Sequence, residues 1–256
     1  MVLWQNKLVS ESFHLALVTG AAHRLGCAFA LSLARQGYAI VLHYNASTEK
    51  VAEVVAEIRG MGVPVFPVQA DLRDETQIQA LFSKVDSIIS APGSPISALA
   101  LLVNSAASMD RADARALSIS DFDATLDLNL RAPFLLAQLA YQRMSSGGLI
   151  VNISDLAAQK AWTAFPAYTI SKAGLDSLTK VLARTFAPKV RVNAIAPGLV
   201  LASEDIPPEE WARLVNRLPL QRAAHLDEIT GTLEFLLKSE YITGQTIVVD
   251  GGYSLL

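Results

Sequence analysis

Short apolar runs alternate with longer amphipathic stretches along almost the whole chain. LALVTG (15–20) has the length and composition of a buried strand running into a glycine turn, and LGCAFALSLARQGY (25–38) spaces its apolar residues for one helical face. The couplet recurs as strand AIVLHYN (39–45) and helix STEKVAEVVAEIRGMG (47–62), with Ser47 or Thr48 as the helix cap. VPVFPVQADL (63–72) predicts a third strand that contains Pro64 and Pro67. Proline donates nothing to a ladder, so this strand is expected at a sheet edge. A helix from about Asp74, a strand in ALALLVNSAA (98–107) and one long helix over 120–144 follow. The last couplets are strand GLIVNIS (148–154) with helix 168–187, strand VRVNAIAPG (190–198), and helix 226–239 with strand GQTIVVDGG (244–252). A short helix, IPPEEWARLVNRL (206–218), stands outside this rhythm. The pattern predicts a doubly wound α/β fold: a seven-stranded parallel sheet of Rossmann type, order 3-2-1-4-5-6, flanked by helices on both faces. No repeat or linker divides the chain, so 1–256 is expected as a single domain, with an N-terminal extension (1–13) and a substrate-loop region (199–220).

Composition narrows the class. Of 256 residues, 52% are hydrophobic and 18% charged, which supports a large core and excludes disorder. A net charge of −3, with no long like-charge run, gives no footprint for nucleic acid or a membrane surface. Cys27, the single cysteine, excludes an internal disulfide and fits a reducing compartment. The N-terminus lacks the apolar core of a signal peptide, and Pro92, Gly93 and Pro95 interrupt the most apolar region, so a soluble cytoplasmic protein is expected. No metal site is expected.

Folds of this kind bind ligands beyond the carboxyl ends of the strands. The turn after the first strand is Thr19-Gly20-Ala21-Ala22-His23-Arg24-Leu25-Gly26. Gly20 permits a tight turn, the two alanines let backbone approach a pyrophosphate, and the helix N-terminus offers N–H groups and a positive dipole end. A glycine turn that merely packs helix on strand is the alternative. The second strand ends in His43, Tyr44 and Asn45, without the acid that grips the ribose 2′-hydroxyl of NAD. With Arg24 nearby, this favours the 2′-phosphate of NADP(H), with His43, Asn45 and Ser47 as polar partners; a solvated Arg24 is the alternative. Asp71, beside Leu72, can accept from the adenine amino group or serve as a turn aspartate.

At the other side of the crevice, Tyr168 and Lys172 lie four residues apart on one helical face. An ammonium close to a phenol is expected to lower the phenol's pKa and make it a usable general acid or base. Asn129 lies in the preceding crossover helix, where its amide can relay protons through water or satisfy its own backbone. Pro197-Gly198 ends the sixth strand beside the same crevice.

With T-G-x(5)-G, LLVNSAA, Asn129, Y-x-x-x-K, RVNAIAPG and YITGQTIVVDGG, the chain resembles the short-chain dehydrogenase/reductase family over nearly its whole length. The resemblance implies hydride transfer with NAD(P), Tyr168 as proton donor, Lys172 on the ribose hydroxyls, Asn129 in the relay, and Asn104, Ser105 and Ala106 beside the cofactor. It also implies a homotetramer.

The departures are informative. Thirteen residues before the Tyr the family usually has a serine, and here stands Asp155, with Ser154 just ahead of it. Arg24 replaces a glycine, and Asn104-Ser105-Ala106-Ala107 replaces NNAG. These features, together with LHY, PGLVLASEDIPPEEW and DGGYSLL, are similar to the pteridine reductases. Reducing a C=N bond requires protonating nitrogen, and a partly buried carboxylic acid with a raised pKa donates more readily than a serine. Asp155 is therefore expected to work with Tyr168 on a pterin-like small-molecule substrate. Strand alternation turns Ser154 away. Met109 stands where that branch has a stacking Phe, with Phe165, Trp162 and Trp211 as further aromatic walls. The rival expectations are a carbonyl or alcohol oxidoreductase on an oxoacyl or polyol substrate, and a non-catalytic NADPH-binding regulator.

Overall fold

Apolar residues on both faces of a strand leave it stable only between two covering layers. In the first strand, β1 (Phe13–Val18), Leu15 and Leu17 point into one layer while Ala16 and Val18 point into the other. The computed structural model describes residues 12–203 and 206–256 of the protein. Most of the expected N-terminal extension and two positions of the substrate-loop region therefore lie outside the described residues.

Seven parallel strands form one sheet of order β3-β2-β1-β4-β5-β6-β7. They are β1, β2 (Ala39–Tyr44), β3 (Val65–Gln69), β4 (Ile96–Asn104), β5 (Met144–Ile153), β6 (Val190–Pro197) and β7 (Thr246–Val249). β3, with Pro67 inside it and Pro64 just before it, is the edge strand next to β2, as expected. One layer contains α1 (Arg24–Arg35), α2 (Thr48–Gly60) and α8 (Leu226–Lys238), through Phe29, Ile58 and Leu233. The other contains α3 (Glu75–Ser90), α5 (Ala132–Arg143) and α6 (Pro166–Phe186), through Phe82, Leu136 and Leu182. The short α7 (Pro208–Arg217) lies in the expected substrate-loop region. Among the described residues, no helix is long and apolar enough to cross a membrane.

Two features differ from the simple pattern. The expected long helix over 120–144 is three pieces: α4 (Ile119–Leu126), a π turn at Asp127–Arg131, and α5. Buried Asn129 sits in the π turn, a local widening that is frequent at functional positions. In β4 the register shifts between Leu99 and Leu101. Leu99 then packs in the α3/α5/α6 layer and Leu101 in the opposite one, although their spacing alone would put them on the same face.

Two helical glycines test how tightly α1 sits on the sheet. A Cβ at Gly26 would lie 2.2 Å from the Gly20 carbonyl oxygen, whereas one at Gly231, in α8, would meet nothing within 4 Å. Gly26→Ala is therefore expected to destabilise the fold by about 1–3 kcal/mol through overpacking. Gly231→Ala is expected to stabilise by up to about 1 kcal/mol from helix propensity. Urea midpoints of the two variants check the opposite signs.

Candidate active site

The glycine turn joins β1 to α1. Gly20 has φ +65°, and a Cβ there would lie 2.9 Å from the Ala106 Cα, so packing alone requires glycine. Thr19, fully buried, turns its hydroxyl to the end of β4 and accepts from the N–H groups of Ser105 and Ala106 at 2.9 and 3.1 Å. Asn104, in the same segment, donates to Asn152 at 2.8 Å. The first turn of α1 has no acidic residue and no side-chain cap, and Leu25 packs against the core behind it. A helix end of this kind suits a pyrophosphate, because its dipole is positive and its first turn carries no acidic residue.

Three residues expected at the adenosine end are otherwise engaged. His43 is buried; its Nδ1 accepts from Gly20 N–H at 3.2 Å, and its Nε2 lies 3.0 Å from the Ala70 carbonyl. These bonds define a neutral Nε2–H tautomer that braces the glycine turn, and they leave no nitrogen for a 2′-phosphate. Burial lowers the His43 pKa to about 4, against the weaker opposing effects of the Ala70 carbonyl and Asp71. Asp71 gives both carboxylate oxygens to Arg73 at 2.8–3.2 Å. Arg24, at φ +53°, directs its guanidinium to the carbonyls of Leu201 and Ala202 at 2.9 and 3.0 Å, not outward from the first turn. At the end of β2, Tyr44 is half-buried, the Asn45 carbonyl accepts from Gln69, and Ser47 is the N-cap of α2 without a side-chain capping bond. Leu72 is core.

The chemical end forms where β5 meets α6. Pro166 starts α6 with its φ preset for a helix, which places Tyr168 in the first turn and Lys172 one turn on. The Tyr168 hydroxyl donates to Asp155 Oδ2 at 2.8 Å, and Asp155 Oδ1 accepts from Ala157 N–H at 2.7 Å. Lys172 Nζ donates to the Ile153 carbonyl at 2.7 Å and lies 5.5 Å from the Tyr168 ring centre. Ser154, by contrast, points to α6, and its Oγ donates to Asp176 at 2.6 Å.

Burial decides the electrostatics. It raises the Asp155 carboxyl pKa despite the lowering effects of Ala157 N–H, Tyr168 and Lys172. It also pushes the Tyr168 phenol well above 10, and the Asp155 charge and hydrogen bond push the same way. The expected lowering of the phenol by Lys172 is thus absent: desolvation and an acidic neighbour outweigh an ammonium that is bonded to a backbone carbonyl. Lys172 falls to about 8 by burial, opposed by Asp155 and Asp176.

Asn129 is only 1% exposed and spends its amide on protein groups: Oδ1 accepts from Ser108 N–H, and Nδ2 donates to the Ser108 carbonyl and Ser171 Oγ. Both amide N–H groups are occupied, so the side chain clamps the segment after β4 to α6 where a water relay was expected. Ser171 links this clamp to the Tyr168 carbonyl at 2.7 Å. Sequence reasoning missed Ser108, Ser171 and Asp176, and named Thr19 only as the first residue of the glycine turn. Ser171 and Asp176 carried a usable signal, since they lie three and eight residues after Tyr168, on its helical side.

Of the residues expected at the substrate, Met109 follows β4 and is 44% exposed. Phe165 is the N-cap residue of α6, with the Arg111 guanidinium 5.0 Å over its ring. Trp162 faces Tyr253 at 6.2 Å, near the C-terminus. Pro197 ends β6, and a Cβ at Gly198 would lie 2.7 Å from the Asp250 Cα, so glycine lets the two segments meet.

An anion-receptive helix end at β1 and a buried Tyr–Lys–Asp set at β5, on one doubly wound sheet, define a dinucleotide-dependent oxidoreductase. Residues 20–254 match the sequence profile of a family described as enoyl-(acyl carrier protein) reductase. The chain is 34% identical over 244 residues to the 3-oxoacyl-(acyl-carrier-protein) reductase FabG of Staphylococcus aureus, covering 93% of this chain and 96% of that protein. It is 33% identical to the 1-cyclohexenylcarbonyl-CoA reductase of Streptomyces collinus, covering 94% and 87%. Among solved structures, FolM alternative dihydrofolate reductase 1 from Brucella suis, in complex with NADP, superposes with a TM-score of 0.88 at 35% identity, covering 96% of this chain and 97% of that one. The chain therefore belongs to the short-chain dehydrogenase/reductase family.

The His43 brace has a pH signature. With its pKa at about 4, below the ordinary 6.5, folded His43 binds fewer protons than the unfolded chain between those values. Its contribution is therefore present above pH 6.5 and lost as pH falls towards 4, a change of order 2–3 kcal/mol. His43→Gln is expected to flatten this part of the stability profile, as checked by urea midpoints at pH 7 and pH 5.

Proposed function

We propose that this protein is an NADPH-dependent reductase of pterins, acting on the C=N bond of a dihydropterin or folate-like ring. The observation that carries the reading is the 2.8 Å hydrogen bond from Tyr168 to Asp155, a carboxyl where most of the family has a serine. The likeness to FolM, described as an alternative dihydrofolate reductase, supports it.

When bound, NADPH supplies a hydride to the ring carbon, and the adjoining nitrogen then requires a proton. Tyr168 holds that proton at its hydroxyl, because its raised pKa keeps the phenol protonated at neutral pH. Asp155, which accepts from that hydroxyl at 2.8 Å, relays a replacement proton from solvent to the phenolate oxygen. Lys172 stabilises the developing phenolate and binds the ribose hydroxyls. The α1 N-terminus holds the pyrophosphate, with the Asn104–Ala106 segment and Gly198 shaping the cofactor cleft. Asn45, Ser47 and Arg24 hold the 2′-phosphate, Arg24 by giving up the Leu201 and Ala202 carbonyls. Met109 and Phe165 form the walls against the pterin ring.

A second reading, a carbonyl reductase of oxoacyl thioesters, draws on FabG, which matches nearly the whole chain at 34% identity. The Tyr–Lys pair would serve a carbonyl oxygen equally well, so Asp155 separates the two.

NADPH oxidation measured side by side with dihydrobiopterin, dihydrofolate and a simple ketone is expected to show turnover on the pterins alone. Asp155→Ala should lower pterin kcat by about 100-fold or more, the usual worth of a positioned acid. Full pterin activity in that variant, or turnover confined to the ketone, overturns the reading. NADPH should exceed NADH in kcat/KM by about tenfold or more, from the added charged contacts. Equal efficiency with NADH, unchanged in Arg24→Ala, refutes that preference.

A further inference from the structure

Three consecutive residues at the end of β5 are each bonded to a different turn of α6. The Ile153 carbonyl accepts from Lys172 Nζ at 2.7 Å, Ser154 Oγ donates to Asp176 Oδ1 at 2.6 Å, and Asp155 Oδ2 accepts from the Tyr168 hydroxyl at 2.8 Å. Tyr168, Lys172 and Asp176 stand at i, i+4 and i+8, on one helical face. The outer two bonds belong to the proton-transfer set. The middle one joins two residues that the proposed reaction does not use, and Ser154 is only 2% exposed, unable to reach a substrate oxygen.

We propose that the Ser154–Asp176 bond is a positioning element of the active site. It fixes the rotation of the chain at the end of β5, so that Ile153 presents its carbonyl to Lys172 and Asp155 presents its carboxyl to Tyr168. In addition, the Asp176 carboxylate gives Lys172 a negative counter-charge on the side away from the reacting groups. The inference rests on the assignment of Tyr168, Lys172 and Asp155 to proton transfer, and not on a pterin as the substrate.

Geometry supplies the first half. The Ser154 N–H is tied to the Ile195 carbonyl at 2.8 Å within the sheet, and its side chain is tied to α6. With both its backbone and its side chain anchored, Ser154 cannot rotate, and its two neighbours inherit that orientation. A hydrogen bond to a charged acceptor is among the stronger kinds, and here the donor is buried and the acceptor half-buried.

Charge supplies the second half. Lys172 is 4% exposed and, among the described residues, forms no ion pair within 4 Å. The charged or titratable groups that face it are Asp155 beyond β5, and Tyr168 and Asp176 on its own helix. Asp155 changes its protonation as it supplies the proton, so its charge varies during turnover. Asp176 takes no part in that exchange and supports the ammonium throughout. Burial moves Lys172 to about 8, and both carboxylates oppose that fall.

The test compares Ser154→Ala, Asp176→Asn and Asp176→Glu, using whichever substrate the wild-type enzyme reduces with NADPH. Ser154→Ala and Asp176→Asn are expected to lower kcat about tenfold while both KM values stay within about twofold, the mark of lost alignment in the transition state. Asp176→Asn should also move the alkaline limb of the kcat profile down by about one pH unit, because removing a nearby negative charge disfavours the ammonium. Ser154→Ala keeps that carboxylate and should leave the limb in place, and Asp176→Glu should restore it. A role confined to stability would lower the Tm of both variants and leave the limb and kcat alone. Wild-type kcat in Ser154→Ala, or an unmoved limb in Asp176→Asn, overturns the proposal; if Asp176→Asn does not fold, Ser154→Ala decides by kcat and KM. An NMR titration of the Lys172 side chain reads the same downward shift without turnover. An enzyme that reduces no substrate would sink the proton-transfer assignment, while the titration still judges the counter-charge.

Discussion

The burial of one ammonium group organises this active site. Lys172, almost fully enclosed, must have its protons taken up by protein oxygen, and the Ile153 carbonyl at the carboxyl end of β5 does so. That bond draws the first turns of α6 onto the strand end. Tyr168, one turn before Lys172, then meets Asp155, two residues beyond Ile153. The sheet supplies a rigid edge and the helix supplies spacing. Tyr168 and Lys172 are therefore held by the helix, and Asp155 by the short segment between β5 and the 3-10 turn Leu156–Ala158 that it caps.

Enclosure also sets which way protons run. In water, a lysine beside a tyrosine would favour phenolate; here desolvation outweighs that attraction, and both the phenol and the carboxyl stay protonated to higher pH. A site that holds protons this firmly suits reduction, where a proton must be given up to an atom that becomes basic once hydride arrives. A serine in place of Asp155 would offer a hydroxyl where this chain has a carboxyl that accepts from the phenol at 2.8 Å.

The cofactor end follows a different logic. Gly20 and Gly26 are dictated by close approach of backbone to backbone, and His43 locks the turn through both ring nitrogens. The α1 N-terminus above this packing, with no acidic residue in its first turn, suits an anion. Arg24 bridges the start of α1 to the loop after β6, through the carbonyls of Leu201 and Ala202.

Much of this was legible in the chain itself. The alternation of strands and helices determined the doubly wound sheet, Pro64 and Pro67 placed β3 at its edge, and strand alternation separated Ser154 from Asp155. The i, i+4 spacing put Tyr168 and Lys172 on one face, because helical neighbours are set by local geometry. Other features depended on contacts between distant segments. The β4 register shift, the π turn at Asn129, the His43 brace and the Asp71–Arg73 pair are choices among hydrogen-bond partners that local pattern leaves open. The sign of the Tyr168 shift belongs with them. Which residues can meet follows from spacing, whereas how strongly water is excluded when they do is decided only by the packed tertiary structure, and that exclusion sets the direction in which Asp155, Tyr168 and Lys172 shift.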